Sequence, residues 1–504
     1  GNAYPSLAGT GLSNFHLGNG ATLQEQVTNG VMTQQGHVFN NSMNWVFSPR
    51  AGIAWSPDDA GKWLVHGGVG LYHDYFTLGN SENGLSANPP SFVRPTFFNN
   101  GSTAPPIFGY ATQNSYPFGY AYPAFQGQPL DAKGGIPGSQ IGVGGVDGNL
   151  KSPFTVNFSL AVDRQITPGF VASIGYIGSH SGNLISAGGD TAATAYGNDV
   201  NAFAGDLIQH LDCTVDATTN NCTGTQTRLN SSFGAIKYAS NSAKGNYSGL
   251  VLAARGRFAQ RGFLTASYTH AHSMDNWQNY PVAYDTSRFY ANSPYDIRNR
   301  FSIGASYDLP GSNMSNGFGK RILGGWTLSG LSVLQSGAPF TVYTGAAFSA
   351  RLINPGSPAT ASNLAFAPGS GDFNADGNNN DFPNVSSYRQ SHNRADYHSG
   401  KGILAACPSG QLPCGNFTLP SIGIEGNQMP NQFRNPGYAN IDFTVKKGTA
   451  ITERVNFELR LDVFNIMNRV NYGVVDTNLQ NGTFGQSTST NPQRNMLVGG
   501  RLNF

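Results

Sequence analysis

Strict alternation of apolar and polar side chains over residues 453–465, ERVNFELRLDVFN, constrains the fold more than any other feature of the chain. Successive side chains of a strand point to opposite faces, so this segment predicts a strand with one apolar face and one charged face. In a soluble sandwich the apolar face would form the core, whereas in a membrane barrel it would contact lipid. The local pattern leaves both interpretations open.

Composition favours the membrane interpretation. Only 11% of the 504 residues are charged, compared with roughly 25% in average soluble proteins, whereas aromatic residues make up 12%. A protein with so few charges needs a solvent other than water for much of its exterior. No segment approaches the ~18 uninterrupted apolar residues of a membrane helix, so a membrane protein of this sequence has to be a β-barrel. The net charge of +2 gives no indication of nucleic-acid binding.

Alternating segments recur along the chain and predict eleven antiparallel strands. The predicted strands cover residues 45–55, 62–73, 152–166, 169–180, 246–259, 262–272, 296–309, 323–335, 437–447, 453–465 and 493–504. Short and long connections alternate without exception, so every long connection is expected at one end of the strands. This asymmetry is typical of outer-membrane barrels, which have short periplasmic turns and long extracellular loops.

Aromatic residues flank the short turns, as an interfacial girdle requires. Trp55 and Trp63 bracket the first turn, and Trp326 follows the fourth. The polar strand faces are therefore predicted to line a water-filled lumen and the apolar faces to contact lipid. The candidate lumen-facing residues are Arg298, Arg300, Asp442, Glu458, Arg460 and Asp462.

The last predicted strand ends on Phe504, and a terminal aromatic after alternating residues resembles the signal that the outer-membrane assembly machinery recognises. If Phe504 lies at the periplasmic end, residues 1–44 form an extracellular segment that precedes a barrel portion of residues 45–504. A single-chain bacterial barrel usually has an even number of strands. Eleven strands are therefore expected to be about half of a 22-stranded barrel, the size of the plugged outer-membrane transporters.

Several segments, in the same order along the chain, carry a family resemblance. They are SPRAGIAW, HGGVGLYHDYF, SPYDIRNRFSIGASYDLP, LGGWTLSGLSVLQSGAPFTV, DFNADGNNNDFP, RLDVFNIMNRVNYG and LVGGRLNF. On these segments the chain resembles the barrel of TonB-dependent outer-membrane receptors, in particular the Oar-like group, which carries a carboxypeptidase-regulatory-like domain. The resemblance implies energy-driven uptake of a ligand through a plug that TonB remodels. No plug, TonB box or regulatory-like domain is recognisable in this sequence.

Arg298 and Arg300 have two interpretations within such a barrel. Both point the same way as Ser302 in the segment DIRNR, so they could line the lumen or hold a plug. The interpretation that we favour is that they complement neighbouring carboxylates of the lumen wall.

The segment GDFNADGNNNDF resembles the first half of a calcium-binding loop. Its candidate ligands are Asp372, Asn374, Asp376, Asn378 and Asp381. Hard cations prefer several oxygen ligands on a tightly curved backbone, which this spacing supplies. Pro383 stands where the bidentate glutamate of such a loop is expected. A structural Ca²⁺ ion in an external loop and a plain Asn/Asp/Gly turn therefore remain alternatives.

The four cysteines form two local pairs, Cys213 with Cys222 and Cys407 with Cys414. Each pair lies in a segment rich in small polar residues, and neither spacing matches a CxxC zinc or redox motif. Disulfides that close loops are therefore predicted, which implies an oxidising, extracytoplasmic compartment. The alternative is four unpaired thiols, which fits exposed loops poorly.

The sequence contains no nucleophile elbow, phosphate-binding loop or HExxH segment. The chain is therefore predicted to be a transporter rather than an enzyme, with the lipid bilayer, the assembly machinery, TonB and an unidentified ligand as its partners. The alternative functions are a plugless passive pore and a surface structural or adhesive protein. The ligand itself is not specified, because loop geometry determines it.

Overall fold

An antiparallel β-sheet dominates the part of the chain that the computed structural model describes. That part comprises residues 12–35, 39–40, 46–74, 88, 131–135, 142–186, 200–201, 214–215, 222–223, 228–276, 289–313, 317–344, 349–352, 364–367, 381–391, 393–403, 415–418, 420, 425–479 and 481–504. Within these ranges the main sheet has 13 strands, and five further pairs of short strands lie outside it.

The strands and helices of the described residues are numbered along the chain. The strands are β1 (Leu12–His16), β2 (Val31–Gln35), β3 (Arg50–Trp55), β4 (Trp63–His73), β5 (Val143–Val146), β6 (Phe154–Thr167), β7 (Phe170–Ser186), β8 (Thr214–Val215), β9 (Cys222–Thr223), β10 (Ile236–Phe258), β11 (Gly262–Asp275), β12 (Ala291–Asn292), β13 (Asn299–Asp308), β14 (Trp326–Gln335), β15 (Pro339–Phe340), β16 (Ser349–Leu352), β17 (Leu364–Ala367), β18 (Asn384–Val385), β19 (Phe417–Thr418), β20 (Phe433–Arg434), β21 (Tyr438–Ala450), β22 (Asn456–Phe464) and β23 (Asn495–Asn503). The helices are α1 (Leu23–Thr28), α2 (Gly317–Leu323) and α3 (Arg394–His398), and a 3-10 turn covers Pro310–Asn313.

Strands β3, β4, β6, β7, β10, β11, β13, β14, β21, β22 and β23 form one continuous meander in that order. Every neighbouring pair in it is antiparallel. Each predicted strand overlaps one strand of this path. The short turns, at residues 56–62, 168–169, 259–261, 309–325 and 451–455, all lie at one end of the meander.

Several predicted strand boundaries were wrong by three residues or more, including the end of β7, which lies at Ser186 rather than at residue 180. Strand β3 begins at Arg50 rather than at residue 45, and β10 begins at Ile236 rather than at residue 246. The first four residues of β10 pair in parallel with β5, and packing between loops determines this pairing, whereas local alternation does not. The strand predicted from residue 323 begins at Trp326 instead, because residues 323–325 belong to the end of α2 and a turn. Gly325 has a φ of 75°, and a Cβ there would lie 2.1 Å from the carbonyl oxygen of Gly448.

Two of the apolar clusters among the described residues lie in the long connections, at the end opposite the short turns. One cluster joins the β1–β2 hairpin to β5 and the start of β10, through buried side chains that include Phe15, Val143 and Phe233. The other joins the long connections on either side of β21 and β22, through side chains that include Phe340, Phe417 and Phe484. The described parts of these loops are therefore folded layers with cores of their own.

The turn between β10 and β11 has an unfavourable sequence for its geometry. Ala259 and Gln260 both have positive φ angles, 47° and 62°, which residues with a Cβ rarely adopt. Replacing them with Asn and Gly is expected to stabilise the folded protein by about 1 kcal/mol, because these residues reach positive φ with less strain. The effect is measured as the transition temperature at which the compact, heat-modifiable form of the protein disappears from gels. Gly169→Ala, at a φ of 86°, should shift the transition the other way, and equal transitions in all three proteins would contradict the prediction.

Asp58 closes the turn between β3 and β4. Its carboxylate accepts the backbone N–H groups of Trp63 and Lys62, each at 2.9 Å. The bond from Trp63 lowers the pKa of Asp58 below its ordinary value. A carboxyl with a lowered pKa stabilises the turn at neutral pH and loses that effect as the pH falls through the folded-state pKa. We expect the Trp63 amide to lose exchange protection, corrected for intrinsic rates, below about pH 4. Protection should persist in Asp59→Ala and be absent at every pH in Asp58→Ala.

Candidate functional site

Cross-strand register sorts the side chains of the meander into two faces, because paired residues of antiparallel strands point to the same side. What we call the polar face includes Asn157, Ser159, Ser179, Thr265, Ser267, Arg300, Ser302, Ser329, Asn440, Asp442, Thr444, Lys446, Glu458, Arg460, Asp462 and Arg501. What we call the apolar face includes Val65, Val69, Phe158, Leu160, Ile174, Tyr176, Leu250, Leu252, Leu264, Phe301, Ile303, Leu334, Ile441, Phe443, Val445, Leu459, Leu461 and Val498.

The apolar face ends in aromatic and basic side chains beside the short turns. The guanidinium of Arg164 lies 4.6 Å from the ring centre of Trp63, and the ammonium of Lys447 lies 5.1 Å from that of Trp326. Aromatic rings with adjacent cations are typical of the boundary between hydrocarbon and lipid headgroups. Phe504 follows β23 at this same end and is 98% exposed, and its role as an assembly signal stays a prediction.

Charges on the polar face are paired within β22 and between β21 and β22. The carboxylate of Asp462 accepts hydrogen bonds from the Thr444 hydroxyl at 2.6 Å and from Nε of Arg460 at 2.8 Å. Two residues after Thr444 in β21, Nζ of Lys446 lies 3.6 Å from the Glu458 carboxylate. Polar groups and nearly balanced charges give this wall a hydrated surface without a strong net field.

Two further candidate residues lie on the same face in different surroundings. Asp442 accepts the backbone N–H of Asn465 at 2.9 Å and the side-chain amide of Asn440 at 2.8 Å, so it stabilises the start of a loop. Arg300 projects opposite Gln335 and is exposed, and no ion pair to it occurs within the described ranges. It is therefore available to a ligand or to another segment.

A buried carboxylate joins the sheet to the longest loop, at the loop-covered end of the strands, which we call the rim. The side chain of Asp296 is only 1% exposed and lies 2.8 Å from Nε of Arg298. It also forms an ion pair with Arg434 in β20 and accepts the backbone N–H of Ser273 at 2.8 Å. Sequence reasoning missed Asp296 and Arg434. The partner of Arg298 is this rim carboxylate, which stands two residues before it in the segment DIRNR, and none of the predicted lumen carboxylates.

The polar face also contains a recess of about 420 Å³ near its loop-covered end. The guanidinium of Arg50 lies 4.4 Å from the ring centre of Tyr72, and Asn157 and Tyr247 also line the recess. A Cβ on Gly70 would lie 2.8 Å from the Tyr72 ring, so the ring lies directly on the glycine backbone. This recess offers two aromatic rings, an amide and a cation to a ligand on the wall.

Most of the predicted calcium and disulfide residues lie outside the described ranges. These are Asp372, Asn374, Asp376, Asn378, Cys213, Cys407 and Cys414, together with the side chain of Cys222. Asp381 is buried, and its carbonyl oxygen accepts the Thr344 hydroxyl at 2.7 Å. Among the described residues, no group of three or more His, Cys, Asp and Glu side chains could hold a metal ion. The calcium site and both disulfides therefore stay predictions.

Comparison with known protein families identifies the class of this fold. No helix within the described ranges is long and apolar enough to cross a membrane. The sequence pattern of the outer membrane beta barrel domain matches residues 3–496. The chain belongs to this family, and its place is the bacterial outer membrane, with its long loops outside. In such a barrel the apolar face contacts lipid and the polar face lines the interior. Comparison with the curated proteins found no match.

Similar solved structures are outer-membrane receptors and transporters. The ferripyoverdine receptor of Pseudomonas aeruginosa aligns over 94% of this chain with 10% identity and a TM-score of 0.36. The outer membrane transporter YddB from Escherichia coli aligns over 90% with 9% identity and a TM-score of 0.40, and the siderophore receptor PirA from Acinetobacter baumannii over 90% with 12% and 0.37. The chain spans 35%, 40% and 40% of those proteins, respectively. At these TM-scores the similarity does not define the function of this chain.

Proposed function

We propose that this chain is the barrel part of a TonB-dependent transporter of the Oar-like group, which takes up a ligand across the outer membrane. The observation that carries the proposal is the rim. The segment SPYDIRNR, part of the family resemblance, supplies Asp296 and Arg298, which hold the longest loop against the wall through Arg434. A loop attached in this way stays beside the polar face, where its side chains can contribute to the capture of a specific ligand.

Closure of the barrel is part of the same proposal. Within the described residues, β3 and β23 are the two edges of the meander and each pairs on one side only. Every unpaired backbone group in lipid costs several kcal/mol, so both edges are paired in a stable barrel. We propose that further strands of the same barrel pair with them, and that a plug inside this barrel couples the ligand to TonB.

The experiment uses the natural protein from outer membranes, in two measurements. Crosslinking in intact cells is expected to give an adduct with TonB, and the purified protein in a planar bilayer is expected to show no steady conductance. A passive pore gives the opposite pair of results, namely steady conductance without an adduct. A surface structural or adhesive protein gives neither signal. Either of these two results would overturn the transporter proposal.

A structural Ca²⁺ ion in the loop that contains Asp376 is proposed as well, on the ligand spacing alone. Chelation of calcium is expected to increase proteolytic cleavage within residues 368–380, and readdition of Ca²⁺ but not Mg²⁺ should restore resistance, because the larger ion tolerates irregular geometry. Asp376→Ala should be cleaved equally with and without calcium. Cleavage of the unaltered protein that does not depend on calcium contradicts the site.

A further inference from the structure

Helix α2, in the turn between β13 and β14, exposes an apolar surface at the periplasmic end. Phe318 is 79% exposed, Ile322 is 49% exposed and Leu323 is 53% exposed. Phe318 and Ile322 are four positions apart and lie on the same side of the helix, and Leu323 adjoins Ile322 at the helix end, so the three exposed side chains form one apolar surface. Such a patch on a periplasmic turn costs free energy in water and requires an apolar neighbour.

Two side chains of the apolar face hold this helix on the lipid side of the sheet. The indole N–H of Trp326 donates to the carbonyl oxygen of Ile322 at 2.9 Å. Nζ of Lys447 donates to the carbonyl oxygens of Arg321 and Gly324 at 2.8 and 2.5 Å, which satisfies the end of the helix. Trp326 and Lys447 are register partners on the apolar face. The helix end therefore lies outside the barrel wall and continues the surface that contacts lipid.

A recess of about 550 Å³ separates α2 from the turn between β21 and β22. Its lining includes Arg321, the backbone of Gly325 and Gly448, and the single acidic side chain Glu453. The Arg321 side chain is exposed, and no ion pair to it occurs in the part of the chain that the structure describes. Lys447 contributes a second cation beside the recess. Two cations next to exposed glycine backbone suit a phosphate group.

We propose that α2 is an interfacial anchor in the periplasmic leaflet and that the recess binds the headgroup of an anionic phospholipid. Phe318, Ile322 and Leu323 enter the boundary between headgroups and acyl chains, where aromatic and aliphatic side chains of surface helices lie. Arg321 and Lys447 contact the lipid phosphate. A bilayer is the occupant because the patch is continuous with the lipid-facing wall, and the proposal holds whether or not the barrel transports a ligand.

Photo-crosslinking in native outer membranes tests which neighbour the helix contacts. A benzophenone amino acid at position 318 is expected to give a phospholipid adduct, detected by mass. The matched control is position 327, because Thr327 is adjacent to Trp326 but lies on the polar face, where its hydroxyl donates to Asp308 at 2.6 Å. No phospholipid adduct is expected there. Protein adducts alone at position 318, or no adduct, would overturn the proposal.

Lipid retention tests the recess itself. The purified protein is exchanged into mixed phosphatidylglycerol and phosphatidylcholine, and the lipids that remain bound are counted by native mass spectrometry. Arg321→Gln is expected to reduce the preference for phosphatidylglycerol about fivefold. Arg454→Gln removes an exposed cation from the neighbouring turn, outside the recess, and should leave the preference unchanged. An equal reduction in both variants would show non-specific charge attraction and, like no reduction at all, would overturn the site.

Discussion

Replacing Asp296 with alanine is expected to lower the free energy of unfolding of the extracellular rim by about 3 kcal/mol. The substitution leaves the guanidinium groups of Arg298 and Arg434 without their carboxylate and the N–H of Ser273 without its acceptor. Breaking a buried ion pair from one side typically costs about 3–5 kcal/mol. The lower end applies because the two arginine side chains remain 32% and 22% exposed.

Proteolysis of the loop between β14 and β21 measures this loss, because Arg434 attaches that loop to the rim. The Asp296→Ala protein should be cleaved within residues 336–437 at temperatures at which the unaltered protein resists. Asp308→Ala is the matched control. Asp308 is an exposed carboxylate at the other end of β13 and accepts one hydroxyl, so its loss should cost about 1 kcal/mol or less. Equal cleavage of the two variants would contradict the proposed role of the rim.

Leu160→Arg is expected to cost about 2–4 kcal/mol of folding free energy in a lipid bilayer, the usual cost of a cation near the midplane on the lipid side of a barrel. Leu160 lies at the middle of β6 on the apolar face and is 55% exposed. The neighbouring Ser159 is also exposed but lies on the polar face, so Ser159→Arg should cost much less. Denaturant unfolding from phospholipid vesicles measures both. A larger loss for Ser159→Arg would mean that the two faces are assigned the wrong way round.

The membrane strands could be predicted from the sequence because two independent constraints act on the same residues. A strand alternates its side chains, and lipid on one side demands that one set be apolar, so a segment such as residues 154–163 has a clear pattern. The start of β10 lacks that pattern. Its residues 236–239 pair with β5, and this pairing depends on contacts between loops that are distant in sequence.

The rim and the interfacial helix could not be predicted in the same way. Asp296 and Arg434 are 138 residues apart, and no local pattern relates them. The segment DIRNR indicated only that Arg298 needed a carboxylate, and the structure shows that the partner is the nearest one. Helix α2 has seven residues, too few for helical periodicity to be distinguished from a glycine-rich turn.

Thiol accessibility along β22 tests the central claim, that one face of the meander contacts lipid and the other lines a hydrated interior. Single cysteines are placed at each position from 457 to 462, in protein whose native cysteines are replaced by serine and whose heat-modifiable form is retained. A small water-soluble maleimide added to outer membranes is expected to label positions 458, 460 and 462 and to leave 457, 459 and 461 unlabelled. Uniform labelling, or labelling of the opposite set, would contradict the assignment of the two faces.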